Sequence, residues 1–242
     1  MFQTIFVEPL HNALVFLVNI IPGHDVGFAI IILTILVKFV LSPLHKKTIK
    51  GQFEMKQLEP KIKKLKELYP DKQEQAQKTF ELYKEHKVNP LSGCLPVLIQ
   101  IPIILALYRL FIGGFNPDAH TIYSFISKPE TFNLNFLGLV NLGEKSLVFA
   151  IIAGVTQFLQ AKFSMARMNN VDKNDDSMQA NMSRMMSKQM KYFLPVFIGI
   201  VAYQISAAVP LYWAVNNIFS TIQEILIHKK LSKKTQNIEE KS

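Results

Sequence analysis

Cysteine is almost absent from this sequence, and basic residues are absent from its first segment. The single cysteine, Cys94, excludes a disulfide within the chain, and no group of Cys and His has the spacing of metal ligands. Residues 1–25 contain neither Lys nor Arg, whereas a signal peptide begins with basic residues and a transit peptide is rich in Arg. We therefore expect no metal site and neither kind of targeting peptide.

Long apolar blocks dominate what is present. Apolar residues make up 49% of the chain, and most of its 27 Lys and Arg lie between the blocks. Five blocks have close to the ~20 residues that cross the hydrocarbon of a bilayer, where a backbone must form its own hydrogen bonds. The sequence thus predicts an all-α integral membrane protein with a bundle of five transmembrane helices. The predicted spans are residues 26–44, 95–113, 146–164, 192–209 and 211–227.

The basic residues indicate how the spans are oriented. With five spans, three strongly basic segments fall on one side of the membrane, in agreement with the positive-inside rule. The loop 114–145 on the other side has only Lys128 and Lys145. We therefore expect the N-terminus outside, an extra-cytoplasmic loop at 114–145, and the C-terminus in the cytoplasm. The basic segments are 45–90 with 12 Lys, 162–191 with six Lys and Arg, and the tail 228–242 with five Lys.

Three segments outside the spans have more than one interpretation. Residues 1–25 predict a helix in the outer membrane interface, with a sixth span as the alternative. Residues 45–90 predict an antiparallel helical hairpin in the cytoplasm, with Asp71 as the N-cap of its second helix, whose surface is either a solvated connector or a docking site. The Met-rich cytoplasmic loop 165–191 either lies on the inner membrane surface or binds varied apolar partners. Its methionine stripe consists of Met178, Met182, Met186 and Met190.

A run at the start of the second predicted span resembles the signature of a known family. Residues 87–103, Lys-Val-Asn-Pro-Leu-Ser-Gly-Cys-Leu-Pro-Val-Leu-Ile-Gln-Ile-Pro-Ile, are similar to that of the YidC family of membrane protein insertases. The resemblance covers nearly the whole chain in the same segment order, and we expect a short form without the large extra-cytoplasmic domain of some members. It extends to Ser42-Pro43-Leu44, Leu58-Glu59-Pro60-Lys61-Ile62, Leu211-Tyr212-Trp213 and Asn216-Asn217.

The resemblance implies a non-enzymatic insertase and membrane chaperone of the bacterial inner membrane, without a cofactor or a small-molecule substrate. In this family a polar groove receives the leading segment of a nascent membrane protein while the helix of that protein moves sideways into lipid. The implied partners are nascent membrane proteins and the bilayer, with the Sec translocon, the signal recognition particle receptor and the ribosome as further candidates. Predicted docking residues are Lys61, Lys63, Lys64, Lys229 and Lys230.

Polar residues within the spans are the candidates for the groove. Lys38 is the only basic residue of the first span, and the family has an Arg at the matching position; the alternative is that Lys38 snorkels to the interface. Every other span has an amide, although a single amide is more typical of an interhelical hydrogen bond. Tyr212 corresponds to a family aromatic that contacts substrate. The predicted groove residues are Lys38, Gln100, Gln157, Gln204, Tyr212 and Asn216.

A small transporter or channel is the alternative function, because polar residues inside a membrane also mark transport paths. The two halves of the sequence show no correspondence of the kind that inverted repeats in transporters produce. A large basic hairpin and a basic tail favour a protein that meets ribosomes, although the tail suits anionic lipid as well as ribosomal RNA.

Overall fold

The computed structural model describes residues 1–89, 92, 95–112, 121–129, 131–168, 184–185 and 187–239, which are mostly helical. The helices are α1 (Glu8–Ile20), α2 (Val26–Leu68), α3 (Lys72–Glu85), α4 (Leu95–Ile112), α5 (Leu147–Met168), α6 (Leu194–Gln204) and α7 (Ala208–Glu239). Shorter helical turns are at Gln3–Val7, Pro22–His24 and Gln189–Phe193. The all-α prediction did not include a small antiparallel hairpin of β1 (Asn135–Phe136) and β2 (Val140–Asn141).

α2 joins the first predicted span and the first arm of the predicted cytoplasmic hairpin into one helix of 43 residues. Asp25 caps its start, because Asp25 Oδ1 accepts hydrogen bonds from the N–H groups of Gly27 and Phe28 at 2.7 and 3.2 Å. The helix continues through Pro43 and Pro60, so the chain has no break at the predicted boundary between residues 44 and 45. Each Pro removes one backbone hydrogen bond, but most helical stability comes from packing along the whole element.

α1 and the turn before it pack against α2 and α4. Val7, Val15 and Val18 are fully buried, so this segment is part of the apolar core. Pro9 lies where the helical turn Gln3–Val7 runs directly into α1, and the helix continues through it although Pro9 has no N–H to donate. The placement of residues 1–25 in the membrane interface stays a prediction.

Asparagine side chains of α1 bind the loop that follows α4. The buried Asn12 donates to the carbonyl of Thr121 at 2.9 Å and accepts from the N–H of Tyr123 at 2.7 Å. Asn19 donates to the carbonyl of Ser127 at 2.6 Å. Both amides therefore satisfy backbone groups of the described stretch 121–127, which contains turns but no helix or strand.

The β-hairpin is bound where the first turns of α2 and α5 meet. Phe136 of β1 lies between Phe28 of α2 and Phe149 of α5, with ring centroids 5.4 and 6.2 Å away. Gly27 permits this approach, because a Cβ at that position would overlap the Phe136 ring. We call this part of the molecule the closed end: α1, the described loop residues of 121–146, and the first turns of α2, α5 and α7.

α6 and α7 are separated by a short turn at residues 205–207, whereas the prediction placed the break at Pro210. Pro210 instead lies in the first turn of α7, where no helical hydrogen bond needs its N–H. The N–H of Ala208 donates outside the helix, to the carbonyl of Leu142 at the closed end, at 3.1 Å. α7 is then continuous, so the predicted tail 228–242 begins as the last turns of a helix.

α3 folds back along the second half of α2. Asp71 is the N-cap of α3, as predicted, and its Oδ2 accepts from the N–H of Glu74 at 3.1 Å. Gln75 closes the connection by donating to the carbonyls of Lys66 and Tyr69. The two helices are therefore joined by a three-residue link whose polar groups are bonded.

Two of the described helices are long and apolar enough to cross a membrane, α2 and the Leu147–Ser164 part of α5. α4 contains a shorter apolar helix, Leu98–Phe111. The number of five spans and their orientation stay predictions. Of the predicted methionine stripe, Met178, Met182 and Met186 fall outside the described residues, and Met190 lies in the turn before α6.

Candidate functional site

α2 and α7 contact each other along a line of polar side chains. Lys38 of α2 donates from Nζ to Ser220 Oγ of α7 at 2.7 Å. Nearly one turn further along α7, Gln223 Nε2 donates to Ser42 Oγ of α2 at 2.8 Å. We call this line the polar seam; it consists of Lys38 and Ser42 on α2 and of Asn216, Ser220 and Gln223 on α7.

Helical spacing brings these groups into line. Lys38 and Ser42 are four residues apart, as are Asn216 and Ser220, and residues with this spacing lie on one face of a helix. Ser220 donates its hydroxyl hydrogen to the carbonyl of Asn216 at 2.7 Å, so its lone pairs are available to accept from Lys38. Among the described residues, the buried Asn216 Oδ1 has no hydrogen-bond partner. The seam thus presents a cation and a buried acceptor side by side.

The Ser220 hydroxyl is neutral, so this hydrogen bond does not cancel the charge of Lys38. This contact directs the ammonium across to α7. An aromatic pair borders the seam: the rings of Phe39 and Phe219 meet edge to face with centroids 5.4 Å apart, and Phe39 is exposed. A charged interior therefore lies one residue away from an exposed apolar surface.

α7 is also bonded to two further helices. Gln100 of α4 donates to the hydroxyl of Tyr212, which is buried. Asn217 donates to Thr156 Oγ1 of α5 at 3.4 Å. Two of the predicted groove residues, Gln100 and Tyr212, therefore contact each other, a little more than one turn of α7 before the seam.

Two predicted groove residues lie elsewhere. Gln157 of α5 is partly buried and is not among the contacts that form the seam. Gln204, the last residue of α6, is exposed and borders an apolar cleft of about 630 Å³ between α5 and α6. Gly154 and Gly199 face each other in that cleft, and the lack of side chains there lets the two helices approach closely.

Three polar residues near the seam were not predicted: Ser42, Thr156 and Glu224. Ser42 follows Lys38 by four residues, and the buried Glu224 follows Ser220 by four. The spacing of four residues along α2 and α7 was the signal that could have identified both. Thr156 had no such signal, because its importance depends on which face of α5 meets α7.

The predicted docking lysines lie on the surface of α2 and near the end of α7. All five are exposed: Lys61, Lys63, Lys64, Lys229 and Lys230. Lys61 also contacts His86 at the end of α3, with Nζ 2.8 Å from Nε2. Burial between the two helices, together with the charge of Glu59, raises the pKa of Tyr83. Lys61, Lys63 and Lys64 are thus carried by a helix pair with ordered contacts, whereas Lys229 and Lys230 lie on α7.

Two described helices that are long and apolar enough to cross a membrane are typical of a helical membrane protein, and known proteins specify the family. The model of the 60Kd inner membrane protein family matches residues 16–234. The chain is 34% identical over 225 residues to the membrane protein insertase YidC of Fusobacterium nucleatum, over 91% of this chain and 96% of that protein. It is also 34% identical over 238 residues to the membrane protein insertase YidC of Oceanobacillus iheyensis, over 96% and 85% of the two chains.

A solved structure supports the same fold. The crystal structure of an active YidC insertase with its first transmembrane domain resolved matches with a TM-score of 0.58 and 22% identity, over 91% of this chain and 45% of that chain. The chain therefore belongs to the 60Kd inner membrane protein family, alongside the YidC insertases, and the family predicted from the sequence is confirmed.

Proposed function

We propose that this chain is a membrane protein insertase that receives polar leading segments of nascent membrane proteins at the polar seam and releases their helices into lipid. Its family and the names of its relatives support the activity. The contact between Lys38 and Ser220 supports the site, because it holds a cation between two helices with only a neutral partner. An ionisable residue within a membrane span costs free energy, and such residues usually have a functional role.

The seam lowers the barrier that a polar segment meets in a bilayer. A charged group at mid-bilayer costs between ~3 and ~15 kcal/mol, depending on the method. The ammonium of Lys38 and the amide oxygen of Asn216 replace part of the lost hydration of such a segment. Lys38 can exchange Ser220 for a substrate carboxylate easily, because the Ser220 hydroxyl keeps its bond to the Asn216 carbonyl.

The arrangement of the two ends favours entry from the cytoplasmic side. In the described part of the closed end, a buried apolar core joins the helices, and a polar segment gains nothing by entering it. On the other side of the seam, α2 continues into its basic half, where Lys63 and Lys64 are exposed. We propose that the N-terminus is outside, the C-terminus is in the cytoplasm, and the docking lysines attract anionic surfaces of the ribosome or its receptors.

Insertion of a single-span test protein tests the role of Lys38. In cells depleted of the native protein, Lys38→Arg should retain insertion, since it keeps the charge. Lys38→Ala and Lys38→Gln should reduce the rate for substrates with acidic leading segments about tenfold, which corresponds to about 1.4 kcal/mol of barrier. Substrates with neutral leading segments should be affected less, because the lost attraction is Coulombic.

The matched control is Lys50→Ala at equal expression. Lys50 lies on the same helix, and its pair with Glu54 is exposed, so insertion should be unchanged. If Lys38→Ala inserted every substrate as well as the parent protein does, the charge of Lys38 would have no role in insertion. If the parent protein did not restore insertion but carried a solute across the membrane of liposomes, the protein would be a transporter and not an insertase.

A further inference from the structure

The tip of the β-hairpin carries large apolar side chains that the described chain leaves bare. Leu137 and Leu139 are 59% and 83% exposed. The preceding residue, Phe136, is only 8% exposed and is fixed between Phe28 and Phe149. The hairpin is therefore firmly bound at its base and uncovered at its tip.

The backbone of the tip adds a second observation. Leu137 has φ of 56° and Gly138 has φ of 68°, so both lie in the left-handed region. Glycine and asparagine adopt this region with little strain, whereas a leucine there is an outlier. A turn that faced water would favour one of those residues. A strained leucine in an exposed turn indicates that its apolar side chain has a functional role.

The position of the tip identifies what covers it. Phe136 contacts the first turns of α2 and α5, the two helices that are long and apolar enough to cross a membrane. The first turn of a spanning helix lies at the boundary of the hydrocarbon. Exposed apolar side chains of those turns continue the surface of the tip: Phe28, Leu147 and Val148. The tip is thus continuous with the surfaces that face lipid.

We propose that Leu137 and Leu139 form a membrane anchor that inserts between the headgroups and the acyl chains of the leaflet at the closed end. The partner is lipid, bound by apolar burial of two leucines. The anchor would hold the hairpin and, through the Leu142 carbonyl that accepts from Ala208, the start of α7. The assignment to the outer leaflet rests on the proposed orientation, but the contact with lipid does not depend on insertase activity.

Tryptophan fluorescence in liposomes tests the anchor. With Trp213→Phe as background, Leu139→Trp should show blue-shifted emission and quenching by lipids brominated near the headgroup. Leu36→Trp, an exposed position further along α2, should be quenched by bromines deeper in the acyl chains. Gln73→Trp on α3 should emit as in water without quenching. Water-like, unquenched emission from Leu139→Trp would overturn the proposal.

A second probe keeps the native tryptophan and does not depend on that background. In a Cys94→Ser background, a spin label at Leu139→Cys should collide more with oxygen, which partitions into lipid, than with a water-soluble nickel chelate. Gln73→Cys should give the opposite order. The aqueous order at Leu139→Cys would rule out the anchor, and loss of insertion in other variants would have no bearing on this result.

Discussion

The closed end and the polar seam join the same helices by different forces. At the closed end, α2 and α7 share an apolar core with buried side chains such as Ile30 and Leu211, and a loop is bonded to Asn12 of α1. Along the seam, the same two helices meet through hydroxyls, amides and Lys38. Contacts of the first kind depend on closely fitted side chains, whereas a passing polar segment can replace contacts of the second kind.

The energies of these contacts explain why one region suits structure and the other suits exchange. A hydrogen bond between neutral groups contributes about 0.5–1.5 kcal/mol net, because water or another partner replaces it at small cost. Removing a buried Leu or Ile side chain costs about 2–5 kcal/mol, because the cavity that it leaves loses its packing contacts. Substitutions at the closed end should therefore lower stability, and substitutions in the seam should lower insertion.

The largest expected effect is an all-or-none difference in labelling that places the closed end and the pair of α2 and α3, which lies beyond the seam, on opposite sides of the membrane. Ser124 lies in the loop of the closed end and Gln73 lies on α3, and both are exposed. With Cys94→Ser as background, a membrane-impermeant thiol reagent on intact cells should label Ser124→Cys and leave Gln73→Cys unlabelled.

Permeabilised cells supply the control for that experiment, since both cysteines should label there. Labelling of Gln73→Cys in intact cells would reverse the proposed orientation and place the basic helix pair outside.

The next effect is on stability. Asn12→Ala removes three hydrogen bonds, one of them to the carbonyl of Glu8, and leaves the carbonyl of Thr121 and the N–H of Tyr123 without that partner. We expect a loss of about 1–3 kcal/mol in the free energy of unfolding, because Asn12 is buried and water replaces its part-buried bonds only incompletely. Thermal unfolding in detergent with matched lipid would measure it.

Asn19→Ala is the matched control for the same loop. Its single bond to the Ser127 carbonyl is exposed, so water can replace it, and the loss should stay near 0.5 kcal/mol. If the two substitutions lowered the free energy of unfolding equally, burial of Asn12 would add nothing to the stability of the closed end. In both variants, the protein that remains folded should insert substrates normally.

Sequence patterns identified the helical elements more reliably than their ends. The charge on Lys38, the amide of Asn216 and the cap at Asp71 all follow from local residue types and spacing. The residues at which the helices begin and end depend on contacts with residues far away in the sequence. α7 begins two residues before Pro210 because the Leu142 carbonyl, far away in sequence, accepts the N–H of Ala208. No local pattern contains that partner.

The sequence did not specify how the candidate groove residues are arranged, and the reason is again tertiary packing. A count of amides per span does not specify which face of a helix an amide occupies, and packing decides that. Gln100 faces Tyr212, whereas Gln204 borders the cleft between α5 and α6. The β-hairpin was missed because strands of two residues are too short for an alternating pattern.

The smallest expected effect is that of Ser220→Ala, and it separates the charge of the seam from its geometry. The substitution removes the partner of Lys38, but alanine favours a helix slightly more than serine does. We expect the free energy of unfolding to change by less than about 1 kcal/mol. Insertion of substrates with acidic leading segments should stay within about twofold of the parent, because Lys38 keeps its charge.

Ser42→Ala removes the neighbouring bond to Gln223 without touching Lys38, so it is the matched control. If Ser220→Ala instead reduced insertion as much as Lys38→Ala, while Ser42→Ala did not, the exact placement of the ammonium would be what the substrate requires. The seam would then resemble the closed end in depending on a fixed geometry, and the contrast between the two regions would be one of chemistry alone.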